Sequence, residues 1–284
     1  MTALTERADP ATARTPKSTA ENTSRTARTV RSWALPAMTT VGLLVIADIG
    51  SRTGILPDVI PPVSDVAVWL FTQAQTVEFW QAMGDTITHW GLGLLVGGGL
   101  GILVGIVIGS VGLLHKLFNS TLEFLRPIPA VVYLPLLLLM WGATSRVATI
   151  LAAVGAFWPL MYQTFYGIKS VDRVTLDTGK MFGLSPIQRL VRLTVPMMLP
   201  FVATGVRISA SLALIVTVSI EIIGAIPGLG QELQVYATGG IYVGVFGLIT
   251  AAGILGVLVN VVIERIERRL LHWHPSHRPG EDGK

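Results

Sequence analysis

The chain has 284 residues, 51% of them hydrophobic and only 13% charged, with a mean hydropathy of +0.63. A soluble domain carries about 25% charged residues, so the composition excludes an ordinary water-soluble globule and fits a surface solvated by lipid. The net charge of +4 is small and segmental, which argues for membrane topology rather than nucleic-acid binding, and the absence of cysteine excludes disulfides and thiolate metal sites.

Residues 1–32 are rich in Thr, Ala and Arg, contain Pro10 and Pro16, and lack apolar periodicity, so a disordered N-terminal tail is expected. The first apolar run begins only near Trp33 and carries no small-residue cleavage site, so no cleaved signal peptide is expected. Residues 33–271 read as a transmembrane domain and 272–284 as a second tail.

Six apolar segments are predicted to cross the membrane: Trp33–Ile49, Trp90–Leu114, Pro127–Thr144, Val147–Ile168, Leu199–Ile223 and Ile241–Ile263. Each approaches or exceeds the ~20 residues that span a bilayer as a helix. Lys and Arg concentrate in alternate connections. The N-terminal tail has six, the first loop only Arg52, and the segment 169–192 has Lys169, Arg173, Lys180, Arg189 and Arg192. The loop near 224–240 has none, and the tail after the last span is basic again. By the positive-inside rule both termini are cytoplasmic, with Arg146 a mild exception. The expected fold is an all-α membrane protein with six transmembrane helices.

Between the fourth and fifth segments stands "SVDRVTLDTGKMFGLSPIQRLVRLTVPMMLP", Ser170–Pro200. Ser170 or Asp172 suits the cap of a helix running to about Phe182, and Gly183 suits the left-handed position that ends it. Ser185 and Pro186 then read as the N-cap and first-turn proline of a second helix, with Ile187, Leu190 and Val191 on one side. Pro196 and Pro200 mark entry into the fifth span. This polar hairpin is placed on the cytoplasmic side. From its residues alone it is either an amphipathic element lying on lipid headgroups or a docking site for a partner protein.

The spacing of the hairpin resembles the EAA loop of ABC importer permeases. Asp177, Thr178 and Gly179 occupy the acidic–small–small triplet, Gly183 the glycine position, and Leu193, Val195 and Pro196 the closing element. The triplet departs from the family pattern, with Asp for Glu and Thr–Gly for Ala–Ala, and Gly179 is expected to soften its helix by up to ~1 kcal/mol. "LRPIPAVVYLPLLLLMWG", "GAFWPLMYQTFYGIKSVD", "TGVRIS" and "GLGQEL" resemble, in order, the nitrate/sulfonate/taurine group of these permeases. The resemblance implies a type I ABC importer permease-like fold with a cytoplasmic coupling-helix hairpin between spans four and five. It implies a bacterial inner (plasma) membrane location and three partners: an ABC ATPase subunit, an extracytoplasmic substrate-binding protein and a second permease copy. ATP would be used by the ATPase, with no cofactor bound by this chain. The substrates it implies are small solutes such as sulfonates, nitrate or related anions.

Other features carry their own expectations. Gly93, Gly97, Gly101, Gly105 and Gly109 recur every four residues and form one stripe for close helix packing, with sliding between helices in a transport cycle as the alternative role. Glu221, near the outer end of span five, either marks a polar pathway or is an interfacial carboxylate bonded to loop backbone. Arg207, fourteen residues earlier, is too far along the helix to pair with it and is expected to snorkel or pair with another helix. Pro129, Pro135 and Pro159 are expected to kink spans three and four. Glu264 and Arg268 are spaced for an i,i+4 pair. His272, His274 and His277 lack the partners of a metal site, so no metal is expected. No phosphate-binding loop and no nucleophile–base constellation is present, so no catalytic residue is assigned. The alternative function is a proton-coupled secondary transporter using Glu221, which leaves the hairpin without a role.

Overall fold

The computed structural model describes residue 36 and residues 38–270. The tails expected over 1–32 and 272–284, including the three histidines, lie outside the described residues. The chain divides into two compact units, Met1–Asp58 and Val59–Lys284.

In the first unit a helix, α1, covers residues 38–52. Asp48 and Arg52 pair at 3.0 Å one turn apart along it. Gly54, at φ 73°, ends it, and the amides of Ile55 and Leu56 donate back to the Gly50 carbonyl.

In the second unit, α2 (Val63–Gln73) leads to α3 (Val77–Ser110). The helix α3 starts thirteen residues before the predicted span, because Thr76 caps it by accepting from the Phe79 amide and Glu78 sits favourably in its first turn. Its 34 residues are about 51 Å long, more than a bilayer needs. A single extended residue, Val111, separates it from α4 (Gly112–Leu125).

The predicted third span is not one helix. After Leu125 the chain breaks, makes a 3₁₀ turn over Ala130–Tyr133, and then forms α5 over only Leu134–Trp141. Pro127 and Pro129 explain this: proline disfavours helix in the residue before it and removes an amide. Pro129 is extended and caps the 3₁₀ turn, and Pro135 lies in the first turn of α5, so neither kinks a helix interior. Gly142, at φ 67°, ends α5.

The helix α6 (Ser145–Lys169) matches the fourth predicted span and carries Pro159 in its interior. The hairpin helices α7 (Arg173–Met181) and α8 (Pro186–Arg189) follow. A π-helical turn, Leu190–Thr194, joins α8 without interruption to α9 (Val195–Gly224). The fifth predicted span thus begins inside a longer helix. The widened turn offers a physical reason, since Pro196 cannot donate to the ladder and would crowd the carbonyl one turn earlier. Two more helices complete the unit, α10 (Leu229–Thr238) and α11 (Tyr242–Leu270).

Among the described residues four helical stretches are long and apolar enough to cross a membrane: Val77–Ser110, Ser145–Lys169, Pro186–Gly224 and Tyr242–Arg269. The helix α6 lies at the centre, between α3 and α9, and α11 packs on α2, α9 and α10. The glycine stripe explains the approach of α3 to α6. All five glycines are buried, and a β-carbon at Gly97 would overlap the Ala153 backbone, while at Gly101 it would lie 2.6 Å from the Phe157 carbonyl oxygen. Between α6 and α9 the Ser209 hydroxyl donates to the Ala156 carbonyl at 2.8 Å, and the Trp90 indole on α3 donates to the Ala210 carbonyl of α9 at 2.9 Å. Two buried clusters support this frame, one around Ala210, Leu248 and Leu255, the other around Leu134, Leu151, Ile220 and Ile226.

Candidate functional site

The hairpin is built by local chemistry at each end. Asp172 accepts from the Val174 amide at 3.3 Å and caps α7. At the other end the Leu184 amide donates to Gly179 and the Gly183 amide to Lys180, the paired bonds of a Schellman ending. That ending requires the left-handed φ of 73° found at Gly183. Ser185 and Gln188 then bond each other's backbone amides reciprocally, a capping box with Pro186 in the first turn.

Of the residues predicted for this loop, Gly179 and Leu193 meet. A β-carbon at Gly179 would lie 2.7 Å from Leu193 Cδ1 and 3.3 Å from Arg189 Cγ, so the glycine lets α7 close against the second leg. Asp177 and Thr178 face outward on α7, and Pro196 is exposed in the first turn of α9. Asp177 bonds Lys180 Nζ at 2.6 Å. That hydrogen bond and the Lys180 charge, with weaker help from Arg173 and Arg189, hold its carboxyl below the usual range. Four apolar residues of the hairpin are largely exposed: Met181 is 89% exposed, Phe182 81%, Ile187 74% and Val174 68%. Four large apolar side chains are thus left exposed on a short, capped, otherwise charged element.

Glu221 lies far from the hairpin at the opposite end of α9 and is wholly buried. Its Oε2 accepts from the Thr86 hydroxyl at 2.8 Å and from the Gly230 amide at 3.1 Å, and its Oε1 lies 3.0 Å from His89 Nδ1. The Leu229 amide donates to the Thr86 hydroxyl at 2.9 Å. The carboxylate is therefore bonded to side chains of α3 and to an amide in the first turn of α10, in a buried position, whereas the sequence offered a polar pathway or an interfacial acid bonded to loop backbone. Ala225, in the left-handed region at φ 48°, turns the chain sharply after α9 so that α10 presents its first amides to the acid. Gly228, at φ 147°, has no side chain because a β-carbon there would collide with the carboxylate.

The partners Thr86, His89, Gly228 and Gly230 were not identified from sequence. The available signals were a histidine within a long apolar helix and two glycines one residue apart after a helix end. Arg207 pairs with Glu267 of α11, and Glu264 with Arg268, as their positions predict. Among the described residues no cluster of three metal-ligating side chains occurs.

The profile of a family described as "Binding-protein-dependent transport system inner membrane component" matches residues 97–272. The chain is 28% identical over 250 residues to a protein of Escherichia coli (strain K12) named as an aliphatic sulfonates transport permease, SsuC, covering 87% of this chain and 93% of that one. It is 29% identical over 229 residues to the taurine transport system permease protein TauC of the same organism, covering 78% and 82%. Over 156 residues, 54% of each chain, it is 28% identical to the bicarbonate transport system permease protein CmpB of Synechocystis. A solved structure of the MetNI methionine ABC transporter in an inward-facing conformation superposes with a TM-score of 0.56 at 18% identity, covering 71% of this chain and 96% of that one.

Proposed function

The chain belongs to the family of binding-protein-dependent transport system inner membrane components, and from that premise we propose how it works: an ATPase docks on its hairpin and drives import of a small anion. The single observation that carries this is the exposure of Val174, Met181, Phe182 and Ile187 on a hairpin whose second leg is continuous with a membrane-length helix. An apolar crest fits a groove on a soluble partner better than it fits water. The uninterrupted helix from Pro186 to Gly224 offers a lever, since displacement of the crest moves α9 along its whole length.

The remainder of the reading follows the same premise. Six spans with both termini cytoplasmic fit the distribution of Lys and Arg. The complex would hold two copies of this permease, two ATPase subunits and an extracytoplasmic binding protein in a bacterial inner membrane. ATP hydrolysis belongs to the partner, in keeping with relatives named as transport permeases. Names among those relatives speak of sulfonates, taurine and bicarbonate, which favours a small anion as cargo. The proton-coupled alternative has no support: both oxygens of Glu221 are engaged away from water, and the family is that of binding-protein-dependent systems.

The test is a pull-down of the tagged full chain from mildly solubilised native membranes, with partners identified by mass spectrometry. An ATPase held by wild type, and lost in Gly183→Pro and in the surface variant Phe182→Asp, supports docking on the hairpin. Wild type that retains its fold yet brings down no ATPase overturns it.

A further inference from the structure

The break within the expected third span opens onto a cavity of about 500 Å³ between that break, α6 and α9. Irregular backbone between apolar helices is tolerated in a membrane protein where it is buried or lines a cavity, and Ile128, Pro129, Ala130 and Val131 line this one. The volume is within the range of small-molecule sites, and the character is theirs too: mostly apolar walls, with few polar groups. Trp158 of α6 and Leu212 and Ile215 of α9 supply apolar surface.

Two polar groups stand out. Arg126 lies at the end of α4 and lines the cavity, with its guanidinium carbon 4.6 Å from the centre of the Tyr162 ring. No carboxylate forms a salt bridge with it among the described residues. Glu123, one turn earlier on α4, does not line the cavity. The Tyr162 hydroxyl is out of solvent and makes no hydrogen bond. A buried hydroxyl normally finds a partner, so one without is a donor in reserve. Gln163 and Ser219 add neutral donors to the same lining.

From this arrangement we infer that the cavity is a cargo site for a small organic anion, its acid group bound by Arg126 and the Tyr162 hydroxyl and its carbon body against Trp158 and Ile215. The planar guanidinium matches the geometry of a sulfonate or carboxylate, and stacking on Tyr162 fixes its plane in advance. A cation would meet Arg126 with like charge, so the site selects by sign. The proposal rests on the permease reading, since cargo presupposes a transporter. It locates in residues the anion preference that the relatives' names only indicate.

The experiment uses the full chain in lipid nanodiscs and three probes of matched size: 1-butanesulfonate, 1-butanol and 1-butylammonium. Calorimetry should show saturable binding of the sulfonate alone, with a change in tryptophan fluorescence that Trp158→Phe removes. Arg126→Gln should weaken binding by about tenfold or more, the loss of one charge-assisted contact. Tyr162→Phe should weaken it less, and Arg126→Lys should recover part of it. Tyr162→Phe also guards against an Arg126 variant that fails to fold. No saturable binding, equal binding of butylammonium, or an unaltered affinity in Arg126→Gln overturns the site. The ATPase pull-down is read separately. An intact pull-down beside failed sulfonate binding retires the cargo site and leaves the permease reading. A failed pull-down beside arginine-dependent binding retires ATPase docking on the hairpin and leaves the anion site.

Discussion

Glu221 and His89 stand 132 residues apart in the chain, and their side chains meet at 3.0 Å with almost no exposure of either. A buried carboxylate is tolerated only where its oxygens are bonded. Here the bonds come from α3, through Thr86 and His89, and from the first turn of α10, through Gly230. One acid on α9 thus ties three helices at a single point.

Replacing Glu221 tests that role. Glutamine keeps one acceptor for Thr86 and Gly230 and turns an amide toward His89, whose neutral ring can accept it in the other tautomer. Glu221→Gln should therefore cost about 1–3 kcal/mol and leave transport per assembled permease unchanged. Glu221→Leu strands the Thr86, His89 and Gly230 donors together and should cost more, about 3–5 kcal/mol. Thermal unfolding followed by size-exclusion chromatography in detergent gives the order. Equal losses for the two variants would remove the hydrogen bonds from the account.

Gly228 and Gly240 separate two reasons for glycine. Both have positive φ, but a β-carbon at Gly240 meets nothing within 4 Å, whereas at Gly228 it collides with the Glu221 carboxylate. Gly240→Ala should cost the backbone term alone, about 1–2 kcal/mol. Gly228→Ala should cost distinctly more and loosen α10, read as faster hydrogen exchange over Leu229–Thr238. Matching losses at the two sites would show that the contact with the acid is unimportant.

These contrasts also show what was legible in the chain. Local signals carried well: a Val147–Ile168 apolar run became α6, Gly183 ended α7, and Ser185–Pro186 began α8. Each depends on residues within a few positions. The start of α3 is not legible in the sequence because Glu78 and Asp85 read as loop, although a cap at Thr76 and a favourable helix N-terminus accommodate Glu78. The third segment reads as one continuous helix because hydropathy registers the apolar side chains of Pro127–Thr144 and not the backbone amides that its prolines lack. The partners of Glu221 arrive from 132 and 135 residues away, and no periodicity connects them.

Asp177 predicts a pH response of the hairpin. Its hydrogen bond and ion pair with Lys180 depress its pKa from the ordinary 3.8, with smaller help from Arg173 and Arg189. A depressed carboxylate adds stability that is fully present above its ordinary pKa and is lost as pH falls through the lowered value. The hairpin should therefore keep this contribution at neutral pH and lose it only below the ordinary carboxylate pKa of 3.8. In Lys180→Met the Asp177 carboxyl should titrate at higher pH than in wild type, because the two largest causes of its depression are gone and the desolvation that opposes them remains. Carbon-13 carboxyl NMR of the full chain in nanodiscs reads the shift, and an unchanged titration would dismiss Lys180 as its cause.

The last contrast lies in α3. Gly97 and Gly99 are two residues apart on one helix and face opposite ways: Gly97 lies against the Ala153 backbone, while a β-carbon at Gly99 meets nothing within 4 Å. Alanine is the better helix former by about 1 kcal/mol, so Gly99→Ala should be neutral or slightly stabilising. Gly97→Ala must push α3 away from α6, because the obstacle is backbone and cannot swing aside. The displacement would break the seam that Gly93, Gly101, Gly105 and Gly109 share, so the loss should exceed the propensity gain and spread along both helices. Thermal stability of the two variants in the same detergent decides the matter. A Gly97→Ala protein as stable as Gly99→Ala would mean that α3 and α6 slide past the contact at no cost, and the stripe would then be a surface for movement rather than for fixed packing.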